Sequence, residues 1–401
     1  MGALPATSYR EEESRELAVM LTGGGARAAY QAGLLKGIAT HFPHIRFKII
    51  TGVSAGAINA IYLAAGQGDL PQKAAELERM WSELNGSSIY RFDWKILLPF
   101  RSALASILAR KSRWTSATPR ALVDTTPLHD LLCQVFRAAP GRPIRGIEAN
   151  IRAGELNAVA LMTLDYSTGQ SVRWVQGRNF DEYDGLNRRV EMTQFTVEHV
   201  LASSALPFVF PAVRIGNSWH GDGGIRLGAP LSAAVHLGAH RILAMSTGHQ
   251  QSVDPEPPRV MTSYPPTAQI LSQLVNAIFL DAVDEDVARM ERMNELLRKT
   301  QPEERNGLKP IDLLVLRPSI DLGKLAGEYE EYLPARMKVV LRAIGVKETA
   351  SPDIASVLMF EPHYSRRLIE LGESDVEARL PEIAEFLGEE CVGLATAGAR
   401  G

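Results

Sequence analysis

Cysteine and long apolar runs are what this sequence has least of. Cys133 and Cys391 are the only cysteines among 401 residues, and no Cys-x-x-Cys occurs. Two cysteines cannot build a disulfide framework, so we expect free thiols in a reducing compartment and predict a cytoplasmic protein. The N-terminus has no basic stretch followed by an apolar one, and no run of about 18 apolar residues occurs. Neither a secretory signal nor a membrane-spanning helix is therefore expected.

A surplus of positive charge is absent as well. The sequence has 43 Lys and Arg residues against 46 Asp and Glu, a formal net charge of −3. Nucleic-acid-binding domains usually carry a basic face, so this balance gives no support for nucleic-acid binding. The 45% apolar and 22% charged residues are typical of a globular protein. This composition excludes a mainly disordered, collagen-like or coiled-coil chain.

The sequence does contain a succession of short apolar runs, each followed by a turn and a helical pattern. Residues 17–21 precede three glycines and a helical pattern over 26–39, and residues 47–51 precede an Ala-rich pattern over about 55–65. Further strands are expected at 158–163, 171–175, 242–246 and 313–316, the first two joined by a hairpin loop at 165–169. Apolar strands that alternate with helices predict an α/β fold with a buried, mostly parallel sheet flanked by helices.

Three parts are expected along the chain. Residues 1–15 are polar and acidic, so they are expected to form a flexible arm. Residues 16–250 hold the strand–turn–helix units and are predicted to form the main domain. Residues 251–401 are predicted to be a mainly helical extension with one or more strands packing on the core. Within it, the apolar stripe over 270–297 predicts a long amphipathic helix.

The segment near residues 91–120 combines apolar residues with many Lys and Arg residues. Such a combination is typical of elements that lie on a lipid surface, and the alternative is an ordinary amphipathic helix that covers the sheet. Peripheral membrane contact through this segment is therefore a hypothesis from the sequence.

A Gly-x-Ser-x-Gly motif at residues 52–56 directly follows a predicted strand and directly precedes a predicted helix. A sharp strand-to-helix turn holds its serine, Ser54, in an unusual backbone conformation, and small neighbours avoid clashes there. The following helix N-terminus favours developing negative charge. This context favours a nucleophilic serine over an ordinary turn residue.

A second turn, Thr-Gly-Gly-Gly-Ala-Arg at residues 22–27, also lies between a strand and a helix. Bare backbone N–H groups at a helix N-terminus can bind either a phosphate or the oxyanion of an acyl-transfer intermediate. A dinucleotide site needs an acidic residue about 20 positions further on, but none occurs between Glu16 and Asp69. The Lys-Ser/Thr pair of a P-loop is also missing. An oxyanion hole beside Ser54 explains both turns with one site, because loops after parallel strands meet at one sheet edge.

A nucleophilic serine needs a base, and the residues offer two. In the order typical of α/β-hydrolases a late histidine serves, and His249, which follows a predicted strand, is the best candidate. His236 and His240 are expected to be structural or surface residues. The alternative is Asp222, which has glycines on both sides and could take the serine proton directly if burial raised its pKa.

Taken together, the motifs at 23–27 and 52–56 and the Asp-Gly-Gly at 222–224 resemble the patatin-like phospholipase family in order and surroundings. Further blocks that resemble the family lie at 33–35, 124–128, 202–211, 230–231 and 238–239. The resemblance extends from about Leu17 to Ser246. Several blocks in the right order make it a specific match.

This resemblance implies a three-layer parallel-sheet fold, with 16–250 as the catalytic domain, and a Ser–Asp dyad of Ser54 as nucleophile and Asp222 as base. The oxyanion hole would be formed by the first glycine turn: Gly23, Gly24, Gly25 and, in support, Arg27. The family hydrolyses acyl esters of lipids and needs neither a metal nor another cofactor. Ala28 and Val53 depart from the glycine and threonine common in the family, but both substitutions are small and neither removes a reacting group.

The function predicted is cleavage of fatty acyl esters of phospholipids or lysophospholipids through an acyl-enzyme. Two alternatives stay open: a neutral-lipid esterase or thioesterase, and a non-catalytic lipid-binding protein on the same scaffold.

Overall fold

A computed structural model describes residues 16–91, 121, 123–178, 187–249, 269–270, 273, 276–277, 281–333, 338 and 353–389. The predicted arm at 1–15, the basic segment beyond Arg91 and much of the first half of the 270–297 pattern lie outside the described residues. Within the described ranges, no helix combines the length and the apolar character needed to cross a membrane.

The described strands form one sheet. Its nine strands are β1 Leu17–Leu21, β2 Ile49–Gly52, β3 Ala158–Asp165, β4 Ser171–Gly177, β5 Arg188–Met192, β6 Val213–Ile215, β7 Ser218–Asp222, β8 Arg241–Met245 and β9 Asp312–Leu316. Their order is β5-β4-β3-β2-β1-β8-β9, with β7 paired to β3 and β6 paired to β7. The pairs around β1, β2 and β8 are all parallel. This confirms the predicted mostly parallel sheet.

Helices cover both faces of this sheet. They are α1 Ala28–His41, α2 Ala55–Ala65, α3 Leu70–Glu83, α4 Gly86–Ile89, α5 Thr126–Val135, α6 Arg145–Arg152, α7 Val197–Ser203, α8 Ser232–His236, α9 Asp281–Lys299, α10 Leu322–Glu328, α11 Asp353–Leu358, α12 Pro362–Ala378 and α13 Leu380–Leu387. Short 3₁₀ turns lie at Gly25–Arg27, Gly223–Arg226, Pro302–Glu304 and Glu330–Tyr332.

Strand β1 shows why both faces need a cover. Its five residues are all apolar and buried, and side chains alternate between the two faces of a strand. Val19 and Leu21 join a core with α1, α2, α3 and α12, whereas Ala18 and Met20 join a second core with α8 and α9. The three-layer arrangement therefore follows from an unbroken apolar strand.

The C-terminal part of the chain packs on the main layer. Helix α12 lies so close to α1 that a Cβ on Gly33 would meet the Ile369 carbonyl. The Tyr30 hydroxyl donates to Asp375 Oδ2 at 2.8 Å. Strand β9 extends the sheet beyond β8 in parallel register. The domain boundary at residue 250 stays a prediction.

Candidate active site

Ser54 occupies a strained turn between β2 and α2. Its φ is 55° and its ψ is −133°, a conformation that side-chain-bearing residues rarely adopt. The turn is tight because Gly56 packs against β1: a Cβ there would meet the Leu21 and Thr22 carbonyl oxygens. A Cβ on Gly52 would meet the Gly56 carbonyl. Both glycines of the motif are thus required by close backbone approach, and the strain concentrates at the serine.

Ser54 and Asp222 come together because two strands meet end to end on the same edge of β3. Strand β2 runs parallel to β3 and ends with Gly52 opposite Leu161. Strand β7 runs antiparallel to β3 and ends with Asp222 opposite Thr163. The other edge of β3 is taken by β4. The two chain segments that leave these strands therefore face each other across one residue of β3.

Ser203 bridges the gap between the two strand ends. Its hydroxyl donates to the Met162 carbonyl at 2.7 Å and accepts from the Ser54 N–H at 3.1 Å. Ser203 is fully buried at the end of α7. Sequence reasoning noted the Ala-Ser-rich block at 202–211 but gave Ser203 no role. That block was the only sequence signal for Ser203, because the carbonyl that its hydroxyl contacts belongs to Met162, on strand β3.

Asp222 is completely buried at the end of β7. Burial raises its pKa to about 7, although the Ser54 hydroxyl and the Gly224 N–H each favour the carboxylate. Gly224 N donates to Asp222 Oδ1 at 2.8 Å, whereas Oδ2 has no partner that satisfies full hydrogen-bond geometry. The Ser54 contact is thus a near approach that falls short of full hydrogen-bond geometry. A carboxylate with one free oxygen and a pKa near 7 can serve as a general base.

The pH dependence of hydrolysis is expected to follow this carboxyl group. A base works only when ionised, so kcat/KM for a soluble ester should be constant above pH about 7. Below it, kcat/KM should fall by about tenfold per pH unit. A pH–rate profile of the free enzyme measures this pKa. A limb near the ordinary Asp value would contradict the assignment.

The first glycine turn has the backbone conformation that only glycine adopts readily. The φ angles of Gly24 and Gly25 are 146° and 58°. A Cβ on Gly24 would meet the Thr247 hydroxyl, and one on Gly25 would meet the Val357 carbonyl. Within the described chain, the N–H groups of Gly24 and Gly25 donate to no backbone carbonyl. They are therefore available to an anion, and Gly25 lines the same cleft as Ser54.

Arg27 fixes this turn to the C-terminal part of the chain. Its Nε donates to the Ser356 hydroxyl at 2.6 Å, and its Nη2 lies 2.5 Å from Asp353 Oδ1. The other carboxylate oxygen of Asp353 accepts from Asn276 Nδ2 at 3.0 Å. Sequence reasoning gave Arg27 a supporting role but missed its partners. No local pattern could reveal them, because they lie more than 300 residues further along the chain.

Replacing Asp353 by Asn is expected to destabilise the protein by about 3 kcal/mol, because the buried Arg27 guanidinium would lose its counter-charge. Urea unfolding measures this free energy. The control is Glu382→Gln, which weakens an exposed pair with Arg379 and should cost less than about 1 kcal/mol. Equal unfolding midpoints for the two variants would contradict a structural role for Asp353.

Ser54 opens into an almost entirely apolar cleft. Its walls come from α2, α3, α5, the segment after α7, and α11 with the residues that follow it. The apolar lining residues are Ala55, Ile58, Met80, Trp81, Leu84, Ile89, Leu128, Leu131, Leu132, Leu206, Phe210, Val357, Leu358 and Phe360. Apolar walls of this kind favour contact with the hydrocarbon part of a ligand over a polar part.

His249, the histidine proposed for a triad, lies elsewhere. Its Nδ1 contacts the Pro318 carbonyl at 2.9 Å, and it lines a different groove beside β9. It is not among the described residues that line the cleft at Ser54. The structure thus brings Asp222 to Ser54 and leaves His249 apart from the cleft.

Residues 19–235 match the family model of patatin-like phospholipases. Human GIVD cytosolic phospholipase A2 is similar in structure with a TM-score of 0.44 and 12% identity, over 94% of this chain and 60% of that one. VipD from Legionella pneumophila gives a TM-score of 0.34 and 13% identity, over 92% of this chain and 67% of that one. Among curated proteins, none matches the sequence.

The chain therefore spans about 60% of the length of the human enzyme. The family match covers more than half of the chain and includes both glycine turns, Ser54 and Asp222. The chain belongs to the patatin-like phospholipase family.

Proposed function

We propose that the protein is a serine hydrolase that cleaves fatty acyl esters of phospholipids or lysophospholipids with a Ser54–Asp222 dyad. The observation that carries this proposal is the pairing of a strained serine with a fully buried carboxyl group whose pKa is raised to about 7. Ser54 lines an apolar cleft. Membership of the patatin-like phospholipase family supports the proposal that the substrates are lipid esters.

Acylation starts when the carboxylate of Asp222 takes the proton of the Ser54 hydroxyl as Oγ attacks the ester carbonyl. The carbonyl π electrons move to oxygen, and the resulting oxyanion accepts hydrogen bonds from the free N–H groups of Gly24 and Gly25. The tetrahedral intermediate then breaks its bond to the alcohol oxygen, which receives the proton from Asp222. The products are a free alcohol, such as a lysolipid, and an acyl ester on Ser54.

Deacylation repeats the same steps with water as the nucleophile. Asp222 takes a proton from water, the hydroxide oxygen attacks the acyl carbonyl, and the same N–H groups bind the oxyanion. Collapse of this intermediate returns the proton to Ser54 Oγ and releases a fatty acid. These residues and water account for every proton transferred and every bond formed or broken in the two steps.

The apolar lining of the cleft supports an acyl group as the part of the substrate that binds there. The chain would lie against Ile58, Leu132 and Phe360, with the ester carbonyl between Ser54 and Gly25. Burying each methylene there contributes about 0.8 kcal/mol to binding. Long-chain esters should therefore bind more tightly than short-chain ones.

The test is a mass-spectrometric screen of a mixed lipid extract, combined with labelling by a fluorophosphonate probe. The expected result is release of fatty acids and lysolipids from phospholipids, with the probe attached to Ser54. Release from triacylglycerols alone would point to a neutral-lipid esterase instead. Absence of both labelling and turnover would leave a non-catalytic lipid-binding protein.

A further inference from the structure

The loop that leads from α7 to β6 forms one lip of the apolar cleft. We call residues 206–211 the rim loop. Leu206 and Phe210 of this loop line the cleft, whereas Phe208 between them is 85% exposed. It is the most exposed large apolar side chain among the described residues. An aromatic side chain in water beside an apolar cleft requires an explanation.

The backbone of Phe208 is strained in the conformation that exposes it. Its φ is 65°, which is a genuine outlier for a bulky residue. Such strain persists only where the neighbouring residues hold the backbone in place. Phe210 N donates to the Leu206 carbonyl at 2.8 Å across Phe208, and Val123 N donates to the carbonyl of the next residue, Val209, at 3.2 Å. The loop is thus fixed around Phe208, and the side chain is held outward.

The phenyl rings of Phe208 and Phe210 have different surroundings. Phe210 turns inward and packs against Tyr90, with ring centroids 6.4 Å apart. Phe208 has no comparable partner among the described residues. The outward conformation therefore suits a partner that supplies apolar surroundings.

One exposed arginine lies near the rim loop in the fold. Arg91 is exposed and pairs through its backbone with Asp124, next to the Val123–Val209 contact. The sequence after Arg91 is rich in Lys and Arg. An exposed arginine near an exposed aromatic is a combination typical of membrane-binding surfaces.

We propose that Phe208 is an interfacial anchor that docks the rim loop on the surface of a phospholipid bilayer, so that the cleft opens toward the lipid. This inference rests on the proposed function, since it explains how a lipid ester leaves the bilayer for Ser54. Aromatic side chains favour the boundary between headgroups and acyl chains. A single projecting side chain inserts there without the large flat area that a protein partner would need.

The experiment compares three variants in a Ser54→Ala background, which leaves the vesicles intact. Phe208→Asn removes the apolar group, and asparagine tolerates the positive φ of this position. Phe208→Trp keeps an aromatic anchor. Leu308→Asn is the matched control, because Leu308 is 57% exposed and lies just before β9, at the opposite edge of the sheet. Co-sedimentation with vesicles of phosphatidylcholine and phosphatidylglycerol in equal parts measures partition.

Partition is expected to fall by about tenfold for Phe208→Asn and to stay unchanged for the other two variants. With Ser54 restored, Phe208→Asn should lower hydrolysis of vesicle lipids to a similar extent and leave hydrolysis of a soluble short-chain ester unchanged.

Three results would overturn the anchor. One is equal partition of Phe208→Asn and the parent protein. Another is a parallel loss of soluble-ester hydrolysis, which would place Phe208 in the reaction itself. The third is a changed oligomeric state with unchanged partition, which would assign the rim loop to a second copy of the chain. If the enzyme with Ser54 hydrolyses neither substrate, the proposed function fails, while the partition data still test the anchor.

Discussion

Ser54→Ala is expected to lower kcat/KM for any ester substrate by about five orders of magnitude, the scale of removing a nucleophile from a serine hydrolase. Without Oγ no acyl-enzyme forms, and Asp222 cannot replace it because it is buried behind the serine turn. The remaining groups can still bind substrate in the apolar cleft. Binding should therefore persist while turnover and fluorophosphonate labelling disappear.

The matched control for this variant is Ser204→Ala. Ser204 lines the same cleft and is buried, but its hydroxyl donates to the Val200 carbonyl at 2.6 Å. Its removal should leave labelling intact and change turnover by less than about tenfold. Intact-protein mass spectrometry after probe treatment compares the two variants. Labelling of Ser54→Ala at the parent rate would show that another residue is the nucleophile.

Asp222→Asn is expected to lower kcat by about three to four orders of magnitude, the contribution of a general base. An amide keeps the shape of the side chain and can still accept from the Gly224 N–H. It cannot take the serine proton. The loss should therefore fall on kcat, with KM for a soluble ester little changed.

The stability of Asp222→Asn should change in the opposite direction to its activity. Because the pKa of Asp222 is raised to about 7 in the folded protein, ionising it there costs folding free energy that is absent at low pH and complete above pH about 7. The amide never ionises, so at pH 8 the variant should unfold at a higher urea concentration than the parent. Loss of activity with gain of stability distinguishes a buried base from a structural residue.

His249→Ala is the comparison that decides between the two bases. His249 contacts the Pro318 carbonyl away from the cleft, so its variant should keep most of the activity. If His249→Ala abolished turnover while Asp222→Asn retained it, a histidine triad would replace the dyad.

The sequence was sufficient to predict those elements whose conformation depends on neighbouring residues in the chain. The all-apolar β1 and the turn at 52–56 both depend on residues within a few positions, and they predicted a buried parallel sheet and the strained Ser54. The predicted hairpin at 165–169 likewise joins β3 to β4. Periodicity and glycine placement carry this kind of information because they act within one element.

The features that the sequence could not predict depend on contacts between distant segments. Asp353 beside Arg27 and Ser203 between Met162 and Ser54 are ordinary polar residues in their own surroundings. Phe208 is one of several apolar residues in a Pro-rich stretch, and only the fold shows which of them turns outward. Packing decides these roles, and packing is not visible in a local pattern.

The contact between Arg27 and Asp353 has a consequence for the order in which the enzyme becomes competent during synthesis. The glycine turn, the serine and the aspartate all leave the ribosome long before residue 353 does, since synthesis proceeds from the N-terminus. Until α11 arrives, the guanidinium of Arg27 has no counter-charge and Gly25 has no backbone to pack against. The first glycine turn therefore gains its counter-charge and its backbone support only after α11 has been synthesised.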